Sequence, residues 1–390
     1  MSLVWRVTSP GGHVEKAEET PAGVGQATAG RNATASIRAL SARQFSRLPL
    51  SAFRLRRHII CLAWLLCAVL GAVEAPSDEA VARAVTRALV HLRGEQRSDG
   101  GIGDRQRTAT TGLALIAHLA AGVTPDLPEH GPAVRRMITF LLTRADEKGY
   151  FGGDGGRMYA HGIACLALAD SLGAGCDEDL EGRLRNALIN GLAVTVAAAR
   201  VGKAEGHRGG WRYQPDEATS DVSLTGWQLL GLHAARRIGL SVPDDVVDGA
   251  RAYLRGRIGA DGKVGYTNQG EDRPALRGLA LLTLALEPGA RDPLRDPVLA
   301  RLLEEPPAWS GPWFFYRAYY DAVGLARSEP AAWPGHRARL YAVLVNQQAA
   351  DGSWPAPPGD NERDNGAGYA TAMAALALSV DRHLLPAHQP

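Results

Sequence analysis

The sequence predicts an all-α protein, an (α/α)6 toroid in which six helical hairpins form an inner and an outer ring. Three observations lead there. Gly-rich turns carrying an aromatic or apolar residue recur six times, at 99–103, 149–153, 209–211, 261–266, 310–313 and 351–354. Their marker glycines Gly100, Gly152, Gly210, Gly262, Gly311 and Gly352 are spaced 52, 58, 52, 49 and 41 residues apart. Each turn is followed by an Ala- and Leu-rich run with few β-branched residues and often a Gly or Pro stop, which is helical chemistry rather than that of a propeller blade of similar period. Between these runs lie stretches mixing Arg, Asp and Glu with Leu, Val and Ala at three- and four-residue spacing, the pattern of helices with one wet face.

Taken in order, the outer helix 78–94 leads through the first turn to the inner run TTGLALIAHLAAG, stopped at Gly122. Outer 132–146 leads to AHGIACLALADSLGAG, and outer 178–200 to LTGWQLLGLHAARRIG, both ended by glycine. Outer 243–258 precedes LRGLALLTLALEPG, outer 292–304 precedes DAVGLARS, and outer 335–349 precedes ATAMAALALSVDRHLLP. The inner runs are apolar all round and therefore buried on every side. An open solenoid would leave a terminal inner face bare, and neither end of the repeat carries a polar cap, so the ring closes. Because every turn precedes an inner run, the six inner helices point the same way. Their N-termini, with unpaired N–H groups and the positive ends of their dipoles, converge on one mouth that suits electron-rich groups.

The toroid occupies 76–390. Upstream, Arg54, Arg56, Arg57 and His58 precede the uncharged run 59–73, and Val73-Glu74-Ala75 offers small residues for cleavage, so 54–75 reads as a signal peptide. The run is shorter than the ~20 residues that span a bilayer. The expectation is export to the periplasm or outside, with a mature start near Pro76 and membrane attachment only through an uncleaved signal. Residues 1–53, rich in Gly, Ser, Thr and Ala without apolar period, read as a disordered extension or a start codon placed too early. Of 390 residues, 45% are hydrophobic, enough for a sizeable core. Lys plus Arg at 43 against Asp plus Glu at 41 gives a net charge of +2, which excludes a phosphate-neutralising nucleic-acid binder. Outside the signal only Cys165 and Cys176 remain, one inside a helical run and one beyond its end, and they read as free thiols rather than a bridge.

Two stretches resemble a known repeat. Asp351-Gly-Ser-Trp354 after Gln347-Gln348, and Gly209-Gly-Trp211 followed by Asp221-Val-Ser-Leu-Thr-Gly-Trp227, are similar to the Gln/Trp repeats of squalene-hopene cyclases and of protein prenyltransferase β subunits. The likeness spans about 78–385. It is nearest to an exported bacterial group that carries the prenyltransferase and squalene oxidase repeat without the Asp-x-Asp-Asp motif, with recurring residues matched by 158–162, 209–215, 220–223, Tyr316, Tyr319, Tyr320 and Tyr369-Ala-Thr371. The resemblance implies the toroid and an apolar or isoprenoid-like small molecule as partner; fold alone leaves the reaction open.

Departures from the familiar chemistries are equally informative. A class II terpenoid cyclase takes its acid from Asp-x-Asp-Asp-Thr, and here the matching stretch reads Asp221-Val-Ser223-Leu224-Thr225, keeping one carboxylate and the Thr. As a helix N-cap, Asp221 needs no reaction to explain it, and a lone carboxylate at a helix N-terminus should have its pKa lowered, against the needs of an acid. No zinc set of Asp, Cys and His is apparent, His161 and Cys165 at i and i+4 reading as a packed core pair, and no cofactor motif occurs. What remains is a ring of polar residues in the first turns of the inner helices. Asp221, His161 and Tyr320 are the candidate catalytic group: Asp221 would fix the His161 tautomer or hold it protonated, and Tyr320 would supply a neutral donor. Tyr159, Ser223, Arg277, Tyr316, Arg317, Asp321 and Tyr369 are candidate substrate contacts, with Thr110, Thr111, Arg273 and Thr371 on the same turns. Three functions fit such a mouth: an enzyme of the terpenoid cyclase type (isomerase or lyase), a non-catalytic binding or interaction scaffold, or a carbohydrate-active toroid enzyme.

Overall fold

The computed structural model describes residues 74–286 and 291–388. The proposed signal segment lies almost wholly in 1–73, outside them. Among the described residues twelve α-helices follow one another: α1 Asp78–Gly94, α2 Arg107–Ala120, α3 Gly131–Leu142, α4 Arg157–Ser171, α5 Glu178–Ala199, α6 Val222–Arg237, α7 Asp244–Arg255, α8 Arg277–Ala285, α9 Arg295–Glu304, α10 Phe314–Ser328, α11 Trp333–Gln347 and α12 Gly366–Leu378. Among the described residues there is no strand, only isolated bridges at Trp211–Asp221 and Ile258–Val264. Both remaining cysteines are free, as expected.

The even-numbered helices form the inner ring, α2 on α4, α4 on α6, α6 on α8, α8 on α10, α10 on α12 and α12 back on α2. Their faces are buried nearly all round, whereas odd-numbered helices such as α7 bury one stripe, Val246, Val247, Ala250, Tyr253 and Leu254. Two inner helices depart from expectation. α10 starts at Phe314, well before DAVGLARS, because Phe314, Phe315, Tyr316, Ala318, Tyr319 and Tyr320 are buried too, and a search for Ala and Leu overlooks aromatic helix. α12 stops at Leu378 rather than 386. Beyond it come the 3-10 turn Val380–Arg382, a left-handed His383 and the 3-10 turn Pro386–His388.

Glycines on four of the inner helices set how closely each meets the next. A Cβ on Gly112 would strike Ile163 of α4, one on Gly162 would strike Gln228 of α6, one on Gly226 would strike Leu279 of α8, and one on Gly278 would fall on the backbone of Tyr320 and Asp321 in α10. The Gly-rich turns form a second repeated joint. The left-handed glycine of a turn sits on the next outer helix: Gly209 against Gly249 O of α7, and Gly352 against Arg87 O of α1, where a side chain would overlap the carbonyl. The contact at Gly352 closes the ring, helped by Gln348 Nε2 donating to Ala84 O at 2.9 Å and by Arg337 reaching Asp78 and Asp381.

The segment after α12 crosses the C-terminal ends of the inner helices. Arg382 Nη1 donates to Ala121 O at 2.9 Å, and Pro386–His388 packs on α4 and α6. Ala387 N donates to Asp170 Oδ1 at 3.1 Å, and Leu385 and Ala387 are buried. The ring is therefore floored by its own C-terminal segment. Burial raises the Asp170 pKa from 3.8 to about 7, so the neutral carboxyl is the form the fold prefers. Its stabilisation is complete below the unfolded value and is lost as pH climbs from about 4 to about 7, because over that window only the native state keeps the proton. Asp170→Asn can still accept from Ala387 and carries no such cost. Its Tm advantage over the wild type is expected to grow from pH 5 to 7 and level off above; a pH-independent difference would show that Asp170 ionises freely.

Candidate functional site

The site is organised by Asp221, which is fully buried at the N-terminus of α6. Its N–H donates to Trp211 O at 2.9 Å, fixing the turn, and its Oδ1 accepts from Leu224 N at 2.8 Å, the N-cap read from sequence. Oδ2 lies 3.7 Å from Arg212 Nε, and the Tyr266 hydroxyl also reaches the carboxyl. The expected fall in pKa does not occur. Burial outweighs the Leu224 N–H, the Arg212 guanidinium and the Tyr266 hydroxyl, and carries Asp221 up from 3.8 to about 6. A cap facing solvent would be anionic; this one lies where ionisation is costly.

Hydroxyls and aromatic rings surround it. Tyr159 Oη donates to Ser223 Oγ at 3.0 Å, joining α4 to α6. The hydroxyls of Tyr213 and Tyr266 lie 3.1 Å apart, and the Arg212 guanidinium sits over both rings, 5.0 and 5.4 Å from their centroids. Trp227 of α6 stacks on Tyr319 of α10 at 6.0 Å and meets Tyr320 edge-on at 5.4 Å, so these rings bridge two inner helices that are not neighbours. Burial raises the phenol pKa of Tyr159, Tyr316, Tyr320 and Tyr369, which keeps all four neutral. Glu362, from the loop before α12, is buried at the start of α10. Its Oε2 accepts from Phe315 N at 2.7 Å and its Oε1 from Tyr316 N at 3.2 Å and from the Tyr369 hydroxyl, while burial and neighbouring Asp360 raise its pKa to about 8.

Of the residues singled out from sequence, Asp221, Tyr159, Ser223, Tyr316, Tyr320 and Tyr369 fall in or beside this cluster. His161 does not. Its Nδ1 accepts from Phe151 N at 3.3 Å, which places the ring proton on Nε2, facing Thr195 Oγ1 of α5 at 3.0 Å. Phe151 and Thr195, not Asp221, fix its tautomer, and burial lowers its pKa to about 4. The reason lies in the repeat: His161 stands just before Gly162 as Thr111 stands before Gly112 and Thr225 before Gly226. Thr111 and Thr225 likewise accept a turn N–H, from Ile102 at 2.8 Å and Trp211 at 3.1 Å. His161 is a turn latch. Cys165 Sγ, 3.9 Å from its Nε2, shares that core position.

Arg277, Arg317 and Asp321 belong to a separate ion-pair network. Arg277 reaches Asp272 and Glu305 at 3.0 Å each, and Arg317 reaches Asp321 at 3.1 Å and Glu305 at 3.5 Å, tying α8 and α10 to the end of α9. Arg273 pairs with Glu271 at 3.3 Å. Thr110 and Thr371 are buried, Thr371 with its hydroxyl unpartnered. Sequence reading passed over Arg212, Tyr213, Tyr266 and Glu362. The first two stand in the matched stretch 209–215, and Glu362 lies in the polar stretch 359–365, which looks like a solvated loop.

Solved enzymes share this fold. The chain is an α/α toroid. It is similar to the type II terpene cyclase MstE from Scytonema, at 18% identity over 80% of this chain and 100% of that one, with a TM-score of 0.54. It is also similar to the cellobiose 2-epimerase from Spirochaeta thermophila, at 14% identity over 78% and 96% and a TM-score of 0.58. The α-1,6-mannanase GH76A of Salegentibacter follows at 10% identity over 77% and 99%, with a TM-score of 0.51. At such identities the likeness is one of fold. No protein family and no curated protein matches the sequence.

Proposed function

We propose that this toroid is an enzyme of the isomerase or lyase type that protonates an isoprenoid or similarly apolar, electron-rich small molecule at the N-terminal mouth of the inner ring, with Asp221 as the acid. The observation that carries the reading is a fully buried carboxyl whose pKa is raised to about 6, set among neutral phenols and stacked aromatic rings. A carboxyl so placed holds a proton that a solvated Asp would have released, which keeps the acid form populated beside a weak base such as an alkene. Protonation leaves positive charge on the substrate, and the faces of Trp227, Tyr319 and Tyr320 are suited to stabilise it. Loss of a proton from another carbon then balances the reaction. The toroid of MstE, solved with geranylgeranyl dihydroxybenzoate as its substrate, adds support to an isoprenoid.

The test is product analysis of the purified protein with prenyl diphosphates, squalene, a geranylgeranyl-substituted phenol and uronic-acid glycans. Conversion of a prenyl compound is expected. Conversion of glycans alone would favour the carbohydrate-active reading that the epimerase and mannanase folds suggest. The stack of Trp227 on Tyr319 across the ring favours a second reading, a binding scaffold without turnover; binding without product would select it.

The same reading has the protein exported. Cleavage after Ala75 would leave Ser77, which caps α1 by accepting from Ala80 N at 3.2 Å, at the front of the folded body. Mass spectrometry of the exported protein is expected to find an N-terminus near Pro76, and an intact leader in membrane fractions would indicate an anchor instead.

A further inference from the structure

Asp221 is fully buried, so water at the carboxyl itself cannot replace a proton that it gives up. Most of the groups that touch it cannot do so either. Leu224 offers a backbone N–H, and the Arg212 guanidinium, 3.7 Å from Oδ2, does not surrender its protons in a protein. The Tyr266 hydroxyl is different. It reaches the carboxyl, and the Tyr213 hydroxyl lies 3.1 Å beyond it. Tyr266 is buried, whereas Tyr213 is partly exposed and precedes the exposed Gln214, so the two hydroxyls step from the acid toward solvent. Both rings are pinned. Tyr213 O accepts from Met158 N at 3.1 Å and Tyr266 O from Val222 N at 3.0 Å, which fastens them to the first turns of α4 and α6, and the Arg212 guanidinium lies over the two rings.

We infer that Tyr213 and Tyr266 form a proton path between solvent and Asp221, by which the acid is recharged after each turnover. The recharging rests on the proposed function; the path rests on the geometry alone. Each phenol carries one proton, which fixes the order of the hydrogen bonds. When Asp221 is ionised, Tyr266 donates to the carboxylate and accepts from Tyr213, which in turn accepts from water. A shift along this row breaks the Tyr266 O–H as the Asp221 O–H forms, breaks the Tyr213 O–H as that of Tyr266 re-forms, and takes one proton from water for Tyr213. The carboxylate gains one proton, solvent loses one, and both phenols end neutral. Burial raises the pKa of both phenols, so neither rests as phenolate and each transfer is matched by the next. Arg212 sets the order of events. Its charge opposes an extra proton on the row and favours the momentary negative charge left when Tyr266 gives its proton up first. Tyr213 and Tyr266 are thus positioning residues that act on the substrate only through Asp221.

Infrared spectroscopy tests the path without a substrate. At about pH 5, below the value of about 6 at which the native carboxyl ionises, the C=O band of protonated Asp221 is the acid band missing from D221N, and transfer to D2O shifts it as O–H becomes O–D. Exchange is expected to be about tenfold or more slower in Y213F and Y266F than in the wild type, because without the relay a buried acid exchanges only through local opening of the fold. Y213F is the sharper variant, since the hydroxyl it removes bonds Tyr266 rather than the carboxyl. In it the pH midpoint of the acid band and the exchange of backbone amides should match the wild type, whereas a loosened fold would change both. Equal exchange in wild type and Y213F, slow exchange in the wild type, or no acid band that D221N removes would overturn the inference. Fast exchange that depends on both tyrosines, in a protein that converts no prenyl compound, would instead overturn the proposed function and leave the path standing.

Discussion

Asp221→Asn is expected to cut turnover of the proposed reaction by about 10²–10⁴-fold, the usual contribution of a positioned general acid, while the fold stays intact. Asparagine accepts from Leu224 N as aspartate does, so the cap on α6 survives, and the cost of ionising a buried carboxyl disappears. That cost is present wherever pH exceeds the unfolded carboxylate value. At pH 7 the variant should therefore be as stable as the wild type or slightly more so. Asp221→Ala should lose the same activity and in addition about 1 kcal/mol of cap. Wild-type activity should decline as pH rises through about 6, where the native carboxyl gives up its proton. Full turnover by Asp221→Asn, or a rate that rises through that pH, would remove Asp221 from the role of acid.

The largest loss of stability is expected from Gly278→Ala. An added methyl would land on the main chain of Tyr320 and Asp321, and Gly324 faces Gly278 O from α10 just as closely, so neither helix has a flexible side chain to move aside. Overpacking against backbone should cost about 3 kcal/mol or more and lower the Tm by several degrees. It should also shift Tyr320, whose position relative to Trp227 sets the aromatic wall. Gly182→Ala in α5 is the control: nothing lies within 4 Å of its Cβ, and the better helix former should stabilise by about 0.5–1 kcal/mol. Equal Tm changes for the two would mean that the close approach of α8 and α10 is not limiting.

The architecture was legible because it rests on features that repeat. Turn glycines, apolar runs and amphipathic stretches recur six times, and their order alone dictates inner and outer rings with parallel inner helices. The candidate site was legible only in part, because the proposed chemistry sits where the repeat is interrupted. Asp221, Tyr159, Ser223, Tyr316 and Tyr320 could be picked out as polar residues in apolar first turns. His161 met the same criterion and was misplaced, since a histidine in the step that elsewhere reads Thr-Gly serves the turn; aligning 111–112, 161–162 and 225–226 would have placed it. Glu362 was invisible for the opposite reason. Its burial depends on the loop before α12 folding onto the start of α10, a long-range contact to which no local pattern corresponds. The pKa of Asp221 was misjudged because the helix N-terminus is readable in sequence and the depth of burial is not.

The seam at which α11 and α12 meet α1 bears on when the molecule can fold. Gln348 and Gly352 hold residues of α1 more than 260 positions earlier in the chain, with Gln348 Nε2 bonding Ala84 O across 264 residues. During synthesis the first hairpin therefore emerges with one flank bare and stays so until the last hairpin is made. Joining such distant segments adds little to the free-energy cost, since loop closure grows only with the logarithm of length, but it makes the closing step late and slow. A ring whose α1 is completed by residues 348–352 reaches its final form only after that stretch has emerged from the ribosome. A precursor crossing a membrane unfolded would carry no finished ring to undo.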